Sequence, residues 1–381
     1  MHIHTVKPEE RVADIAKEYG VNEDILRRNN ELYDGECAVG EELLILTPTR
    51  TYTVRRGDSA ERLALRFGVR RRDMAAMNPQ IEYEGLVPGQ TLALRYGDRS
   101  YGMAAANGYY YSGCSPEQLK RRLPYLTYVT VSCSVAEGDG LKMLFDGRDA
   151  VGLARSADRI PLLRVYLRAE GEKDTEKRGA LMDKMISAAI SGGYKGITLG
   201  GCEVDESFLV ELRKRLLGCD LILLTEVSEE SPFYLSEYAD GSILTVGKYS
   251  EPERSYSEYE GKAYSKYAGE SEGSKTFVEL PALASVAGGY IPLSEALSRA
   301  RRGGCEIQGN ADSLYSSFEH KRRGKHSFPS LKNIKATLDC VHEYGYMGIS
   351  FDIMRTPLSY LMMYNALFGT STYTNIYNAS H

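Results

Sequence analysis

The fold of this 381-residue chain is decided by three apolar stretches, PLLRVYL (161–167), GITLG (196–200) and DLILLTEV (220–227). Each contains Leu together with Val or Ile, and each is short enough to be a strand that is buried on both faces. The segments between them, 175–192 and 206–217, have the apolar spacing of amphipathic helices. Because parallel strands need helical crossovers, strands that alternate with helices in this way predict a parallel sheet.

The same alternation continues in both directions along the chain. Two more helices are predicted at 115–123 and 147–155. The remaining predicted strands are NGYYY (107–111), YVTVSC (128–133), GSILTVG (241–247), KTFVELP (275–281) and GYMGISFD (345–352). Eight such strands predict a (β/α)8 TIM barrel over residues 103–381. The alternative is a doubly wound open sheet, although no Gly-rich phosphate loop follows the first strand.

An internal repeat precedes the predicted barrel. Residues 4–30 match residues 52–78 at an offset of 48, and 39–46 match 88–95 after one inserted residue. The apolar spacing in each unit predicts a strand, two short helices and a second strand. The sequence therefore predicts two small βααβ modules before the barrel.

The second repeat unit, 51–96, resembles the LysM family. It carries T-V-x-x-G-D-S, then A, F-G-V and N-P-x-I, and finally L-x-P-G-Q-x-L. The first unit, 1–47, departs from this pattern at two places. Residues 8–10 are Pro-Glu-Glu where the family prefers Gly-Asp-Thr, and Asn30 is followed by Glu31 instead of proline.

The LysM resemblance implies that N-acetylglucosamine-containing glycans, such as peptidoglycan or chitin, bind in a shallow groove. That groove would lie between the loop after the first strand and the loop before the last strand. The candidate glycan-binding residues are Arg56, Gly57, Asp58, Ser59, Asn78, Pro79, Ile81 and Pro88 in the second unit, and Lys7, Pro8, Glu9 and Asn30 in the first. The alternative is a scaffold repeat that has lost glycan binding.

The rest of the chain resembles glycoside hydrolase family 18. LPYLTYVTVSCSVAEGDGL (123–141) is similar to the second-strand region of that family, in the LysM-bearing branch that includes spore cortex-lytic N-acetylglucosaminidases. GGYIPLSEALSRARRGGCEIQ (288–308) and SLKNIKATLDCVHEYGYMGISFDIMR (330–355) match the late insertion and the final strand of that branch. The resemblance implies an α/β fold, a TIM barrel with a small α+β insertion at about 282–330 that two LysM modules precede.

The catalytic motif of that family is missing at its expected place. In the family, an Asp that orients the substrate's acetamido group and a Glu that acts as general acid end the fourth strand, an exception to the usual two-carboxylate scheme. In GGYKGITLGGCEVDE, Lys195 stands at the first Asp, Gly200 at the orienting Asp and Cys202 at the acid Glu. Glu203 lies one residue further, and strand alternation would point it away from the barrel mouth unless a bulge turned it inward.

Other candidate residues fall at the predicted barrel mouth. The family places a Trp near the end of the last strand, but this chain has no Trp, and Phe351 or Asp352 stands there. Glu226, Glu279 and Asp352 end predicted strands, where barrel active sites are built. Two readings stay open, a remodelled acidic pocket and a set of hydrogen-bonded structural carboxylates.

Composition narrows the function classes. A net charge of −5 argues against nucleic-acid binding, and no apolar run approaches the roughly 18 residues that a membrane span needs. Seven cysteines without a C-x-x-C pair indicate neither a metal site nor a disulfide framework, and we expect no cofactor. MHIHTVKPEE has no features of a signal peptide, so we expect synthesis in the bacterial cytoplasm, and the resemblance implies assembly on the spore coat or cortex.

The sequence therefore favours a protein of the bacterial spore or cell wall that binds peptidoglycan or another N-acetylglucosamine glycan and whose barrel has lost hydrolysis. Two alternatives stay open. One is an active cortex-lytic N-acetylglucosaminidase with Glu203 as general acid, and the other is a structural scaffold that binds spore-coat proteins.

Two further segments have a distinctive composition. Residues 249–275, which are rich in Tyr, Ser and Glu, are interpreted as a loop over the barrel mouth, and residues 320–326 are interpreted as a basic turn between strands.

Overall fold

Two βααβ modules open the chain. The structure, a computed structural model, describes residues 1–32, 35, 37–82, 84–97, 101–137, 139–168, 175–201, 205–231, 234–246, 260–270 and 273–370. Module 1 consists of β1 (His2–Thr5), α1 (Val12–Glu18), α2 (Glu23–Asn29) and β2 (Glu42–Ile45). Module 2 consists of β3 (Arg50–Thr53), α3 (Ala60–Phe67), α4 (Arg71–Met77), a 3-10 turn (Pro79–Glu82) and β4 (Thr91–Arg95). The two strands of each module pair antiparallel.

The module helices begin and end where the sequence provides the caps. The Asn22 side chain accepts hydrogen bonds from the backbone N–H groups of Asp24 and Ile25, so it is the N-cap of α2. Ser59 caps α3 in the same way. Gly68 ends α3 with a φ of 66°, a left-handed conformation that glycine adopts without strain.

The remaining elements follow from residue 103 onward. The strands are β5 (Met103–Tyr110), β6 (Tyr128–Glu137), β7 (Gly140–Met143), β8 (Ile160–Leu167), β9 (Gly196–Gly201), β10 (Ile222–Ser228), β11 (Gly241–Thr245), β12 (Thr276–Glu279), β13 (Leu283–Val286), β14 (Gly289–Pro292), β15 (Gln308–Gly309), β16 (Tyr315–His320), β17 (Gly324–Pro329), β18 (Gly348–Asp352) and β19 (Gly369–Thr370). The helices are α5 (Pro116–Arg122), α6 (Arg148–Ser156), α7 (Thr175–Ser191), α8 (Glu206–Leu217), α9 (Tyr234–Glu237), α10 (Glu260–Glu270), α11 (Leu293–Gly303), α12 (Leu331–Glu343) and α13 (Leu358–Leu367).

Eight of these strands form a closed parallel barrel, which confirms the predicted TIM barrel. The strands β5, β6, β8, β9, β10, β11, β12 and β18 pair in that order, and β5 also pairs with β18. All eight correspond to strands that were predicted from the sequence. Their inner faces pack on one another, while their outer faces pack on the surrounding helices, so both faces are buried.

A small α+β unit is inserted between β12 and α12, also as predicted. It contains helix α11 and an antiparallel sheet with the strand order β14-β13-β17-β16-β15. The basic segment 320–326 includes the turn between β16 and β17, where His320 pairs with Gly324. This part of the prediction is confirmed.

The sequence predicted a loop over residues 249–275, and this prediction is wrong for the second half of the segment. Residues 247–259 lie outside the described residues, but Glu260–Glu270 form helix α10. Ala263, Tyr264 and Tyr267 are buried on one face of this helix, and Tyr264 and Tyr267 pack in the main core. Tyrosine here takes the place of the aliphatic residues that usually signal an amphipathic helix.

Glu260, at the start of α10, predicts a pH-dependent stability. Burial raises the pKa of its carboxyl from 4.5 to about 7, and the nearby charge of Glu229 acts in the same direction. Between these pH values the unfolded chain releases a proton that the folded chain keeps, so the free energy of unfolding falls as the pH rises. The upper limit of this fall is about 3 kcal/mol.

Thermal unfolding of the full chain and of Glu260→Gln, measured across this pH window, tests the prediction. In the variant, the free energy of unfolding should no longer fall with pH through this group, because the amide stays neutral. The amide also retains an oxygen that accepts the hydrogen bond from Asn333. An equal pH slope in both proteins would contradict the assignment to Glu260.

Module 1 packs against the insertion and the end of the barrel. The backbone N–H of Ile307 donates to the carbonyl of Val39 at 2.8 Å. The carboxylate of Glu41 pairs with the Arg301 guanidinium through two contacts of 2.5 and 3.1 Å. Ala38, Leu44 and Leu46 belong to the same hydrophobic core as the barrel helices. Module 1 is therefore held by apolar, hydrogen-bonded and ionic contacts together.

Module 2 contacts the barrel through helix α4. The Tyr125 hydroxyl donates to the carbonyl of Ala76 at 2.7 Å. The Arg72 guanidinium donates to the carbonyls of Pro124 and Leu126 at 3.1 and 2.9 Å. The loops at the ends of β3 and β4 do not take part in these bonds.

Candidate functional site

The loop after β3 in module 2 is a tight turn whose shape depends on Asp58. Its carboxylate accepts hydrogen bonds from the backbone N–H of Arg55 at 2.7 Å and from the Tyr52 hydroxyl at 2.9 Å. The Arg55 hydrogen bond lowers the pKa of Asp58, so the charge persists to low pH. Gly57 has a φ of 88°, and Arg56 is exposed at the tip. Asp58 thus shapes the loop, while Arg56 and Gly57 face solvent.

Module 1 makes the same turn with different residues. The Glu10 carboxylate accepts a hydrogen bond from the backbone N–H of Lys7 at 2.9 Å and contacts His4 Nε2 at 2.8 Å. Glu9 has a φ of 64° at the position of Gly57. The departure of residues 8–10 from the family pattern therefore leaves the backbone of the turn intact, and Lys7, Pro8 and Glu9 are exposed.

Asn30 and Asn78 are equivalent in the repeat, and both are buried. The Asn78 side-chain amide donates to the carbonyls of Met74 and Ala93, and its oxygen accepts from the backbone N–H of Ala93. Asn30 forms the same three kinds of bond with Leu26 and Leu44. These side chains connect the second helix of each module to its last strand, so their role in the structure is to hold the loop between them.

The loop before β4 is buried at its start and open at its end. Pro79 and Ile81 are buried, and Ile81 belongs to the small core of module 2. Val87 is 50% exposed, and Pro88 beside it is also exposed. Of the candidate residues in module 2, the surface that a glycan could reach is thus formed by Arg56, Gly57 and Pro88, with Val87 as an addition that sequence reasoning missed.

The second candidate site is the barrel mouth. It is lined by inward-facing side chains at the carboxyl ends of the strands. Each of the eight strands contributes one position, namely Tyr109, Ser132, Arg164, Gly200, Glu226, Thr245, Glu279 and Asp352. Glu226 is central among them. Its carboxylate binds the Arg164 guanidinium at 2.5 and 2.7 Å and accepts a hydrogen bond from the Tyr109 hydroxyl at 2.8 Å.

The other two predicted mouth carboxylates have separate partners. Glu279 accepts a hydrogen bond from the Thr245 hydroxyl. Asp352 accepts one from the Tyr111 hydroxyl at 3.0 Å and pairs with Arg355 at 3.5 Å. The three predicted acids therefore meet at one mouth, and each is already hydrogen-bonded there.

The electrostatics of the mouth follow from burial and from the density of acids. Burial raises the pKa of Glu279, and the charges of Glu226 and Asp352 act in the same direction. Burial and the charge of Glu226 also hold the pKa of Tyr109 well above its ordinary value. Burial alone would lower the pKa of Arg164, but its hydrogen bonds to Glu226 and the charge of that carboxylate raise it. Arg164 thus remains a cation and neutralises Glu226.

The positions that were predicted for the family's catalytic motif are only partly within the described residues. Cys202 and Glu203 lie outside them. Lys195 is exposed and precedes β9, at the end of the barrel opposite the mouth. Gly200 lies at the mouth, and a Cβ built on it would lie 2.0 Å from Glu226 Oε2. The Glu226 carboxylate, which comes from the neighbouring strand, therefore occupies the space into which a side chain at position 200 would extend.

This close approach predicts that Gly200→Ala destabilises the fold. Glu226 is held by Arg164 and Tyr109, so the new methyl group would push its carboxylate off both partners, at a cost of about 1–3 kcal/mol. Urea unfolding of the single variant, and of the same change in a Glu226→Ala background, measures the coupling between the two positions. In that background, Gly200→Ala should lower the free energy of unfolding by less. An equal loss in both backgrounds would contradict a clash between the new methyl group and the Glu226 carboxylate.

Sequence reasoning missed Arg164, Tyr109, Tyr111 and Thr245. The available signal for Arg164 was its place within PLLRVYL, a charged residue inside an otherwise apolar strand. Such a residue on a barrel strand points either to the helices or to the mouth, and a buried charge needs a partner. Phe351 and Asp352, the two residues predicted for the family's Trp position, have different surroundings, since Phe351 packs in the core shared with the helices and Asp352 faces the mouth.

One group of side chains in the described residues has the spacing of a metal site. Ligand atoms of His4, Glu10 and Glu18 lie within 4.8 Å of one another. Both His4 ring nitrogens already contact other groups, Tyr19 at 3.1 Å and Glu10 at 2.8 Å, so the cluster is explained as part of the module 1 turn. Among the described helices, we find none that combines the length and apolarity needed to cross a membrane.

Comparison with known proteins identifies the family of the repeat and the fold of the barrel. The LysM domain family matches residues 4–45 and 52–95. No curated protein matches the sequence. The spore cortex-lytic enzyme SleL of Bacillus megaterium QM B1551 is 17% identical with a TM-score of 0.72, covering 98% of this chain and 99% of that chain. SleL of Bacillus cereus is also 17% identical, with a TM-score of 0.74 and coverage of 97% and 99%.

Chitinases share the barrel alone. The GH18 chitinase of Cycas revoluta, solved in complex with (GlcNAc)3, is 11% identical with a TM-score of 0.59, covering 69% of this chain and 99% of that chain. The chain therefore consists of two LysM domains followed by a barrel with the fold of SleL and of the family 18 chitinases.

Proposed function

We propose that this protein binds peptidoglycan, or another N-acetylglucosamine-containing glycan, of the bacterial spore or cell wall, and that its barrel does not hydrolyse the glycan. Two LysM domains support glycan binding, as do the exposed loop tips of module 2. The full-length fold similarity to two spore cortex-lytic enzymes supports the spore as the location. In this proposal the two LysM domains anchor the chain, and the barrel serves as a lectin-like or scaffold module.

The observation that carries the loss of hydrolysis is the space at Gly200. A side chain that orients the acetamido group must project from this position, but Glu226 fills the space and is neutralised by Arg164. A positioned general acid contributes roughly 10²–10⁴ in rate, and stabilisation of the developing charge contributes a comparable factor. Without the orienting carboxylate and with Cys202 at the acid position, the family's reaction should be slower by several orders of magnitude.

Sedimentation of the full chain with insoluble peptidoglycan tests the binding half of the proposal. The protein should appear in the pellet, and soluble chito-oligosaccharides should compete. Incubation with muropeptides and with a chitobiose reporter tests the other half, and no turnover above the buffer rate is expected. If the protein does not sediment with peptidoglycan, the LysM domains do not anchor it, and the alternative of a scaffold that binds proteins is favoured. Co-purification with spore-coat proteins would then support that alternative.

The alternative of an active N-acetylglucosaminidase has one supporting observation. Gly201 ends β9 with a φ of 101°, which departs from strand geometry just before Glu203. Alternation along the strand therefore does not dictate the direction of Glu203. Turnover that disappears in Glu203→Gln, while glycan binding persists, would establish this enzyme and overturn the proposal of an inactive barrel.

A further inference from the structure

The loop that precedes the last strand is equivalent in the two modules but has opposite surroundings. Residues 38–41 of module 1 correspond to residues 87–90 of module 2. Both loops make the same turn, because Glu41 accepts a hydrogen bond from the backbone N–H of Ala38 and Gln90 accepts one from Val87. Ala38 is 6% exposed, whereas Val87 is 50% exposed.

The difference arises because the inserted α+β unit covers the loop of module 1. A Cβ built on Gly40 would lie 1.8 Å from the carbonyl oxygen of Ile307. At the equivalent Gly89, no heavy atom of the described residues lies within 4 Å of such a Cβ. Glu41 adds the buried pair with Arg301, and its exposed fraction is only 3%.

A glycan that reached residues 38–41 would have to displace Ile307 and break the pair between Glu41 and Arg301. Removing one partner from a buried ion pair is strongly unfavourable, so a neutral sugar would not compete with Arg301 for this surface. The 87–90 loop is hydrogen-bonded to Val54, where the loop after β3 begins, and it presents an apolar side chain, Val87, to solvent. Sugar rings have apolar faces that can pack on such a side chain. The 87–90 loop is therefore a surface on which a glycan can bind.

We infer that the two modules have divided their roles. Module 1 uses the loop at 38–41 as a docking element that fixes it to the barrel insertion, and module 2 alone carries the glycan-binding groove, with Val87 as a contact residue. This inference rests on the proposed function, because it names the module that performs the binding. It differs from the sequence-based expectation, which assigned candidate glycan contacts to both modules.

Peptidoglycan sedimentation of the full chain with Val87→Asp tests the binding half of the inference. The charged side chain at an exposed position should leave the Tm within about 1 °C and weaken binding at least tenfold. Leu65→Asp, at an exposed apolar residue of helix α3 outside both loops in sequence, is the matched control and should bind like the unchanged protein. Retention of binding within twofold in Val87→Asp would overturn the inference.

Gly40→Ala and Gly89→Ala test the docking half. Both glycines have positive φ values, 79° and 90°, so both variants carry the same backbone strain. Only Gly40→Ala also meets the Ile307 backbone, and it should therefore lower the Tm by several degrees more than Gly89→Ala. Equal shifts in Tm would overturn the docking role.

These measurements separate the inference from the function on which it rests. If the unchanged protein does not sediment with peptidoglycan, the proposed function fails, whereas the comparison of the two glycine variants still decides the docking role. If the unchanged protein binds and Val87→Asp binds equally well, the division of roles fails while the proposed function stands.

Discussion

Arg301→Met is expected to destabilise the folded chain by about 3–5 kcal/mol, because it leaves the Glu41 carboxylate buried without its cation. Glu41 is almost completely buried and binds Arg301 through both of its oxygens. Arg301 also donates to the backbone carbonyl of Glu31 at 3.3 Å, so its removal frees a second acceptor. Since these contacts join module 1 to the barrel insertion, we expect module 1 to unfold or detach first.

Urea unfolding followed by circular dichroism, together with limited proteolysis, measures this effect. Met replaces the aliphatic part of Arg301 and so isolates the loss of charge. In the double variant Arg301→Met/Glu41→Gln the buried charge is gone, and most of the lost stability should return. Arg215→Met removes an arginine from a more exposed pair with Glu211 and should cost no more than about 1 kcal/mol. An Arg301→Met protein as stable as Arg215→Met would refute the prediction.

Arg164→Met is expected to produce the second-largest effect, a loss of about 3 kcal/mol in the free energy of unfolding. We place it at the lower end of the range for buried pairs because Arg164 and Glu226 are each 20% exposed. The variant leaves Glu226 without its cation next to Glu279, whose carboxyl is already difficult to ionise. Repulsion between the two acids should therefore add to the cost as the pH rises.

The charge at the barrel mouth, rather than the arginine itself, is the source of this effect. Arg164→Met/Glu226→Gln should accordingly recover most of the stability, and its double-mutant coupling should be favourable and large. Arg148→Met, in the exposed pair with Asp146, is the control, and its effect should be close to zero. A loss in Arg164→Met that Glu226→Gln fails to reverse would show that packing, and not charge, is what Arg164 contributes.

Much of the fold could be predicted because the elements follow local rules. The eight barrel strands are short, apolar and separated by amphipathic helices, which predicts a parallel sheet with both faces covered. The pairing of β5 with both β6 and β18 is what closes this sheet into a barrel instead of an open doubly wound sheet. The repeat at an offset of 48 predicted two similar modules, and LysM domains match both of them. Helix α10 was missed because tyrosines, rather than aliphatic residues, form its buried face.

The candidate site was less predictable, because its properties depend on residues that are distant in sequence. Glu226 was identified from its place at a strand end, but its partner Arg164 lies 62 residues earlier. Asn30 and Asn78 belong to the family pattern, yet the structure shows that their amides bond to backbone groups within the module. A motif indicates which residues recur, and only their surroundings distinguish a ligand contact from a structural one.

The sequence by itself determined the order of the eight barrel strands and the repeat, and its resemblance to glycoside hydrolase family 18 predicted Lys195, Gly200 and Cys202 at the positions of the catalytic motif. These features depend on residue type and spacing along the chain, which local physics translates directly into structure. Only the tertiary structure decided that Glu226 fills the space beside Gly200 and that the insertion covers one of two equivalent loops. Both outcomes are contacts between segments far apart in the chain, and their geometry is set by the packing of the whole barrel.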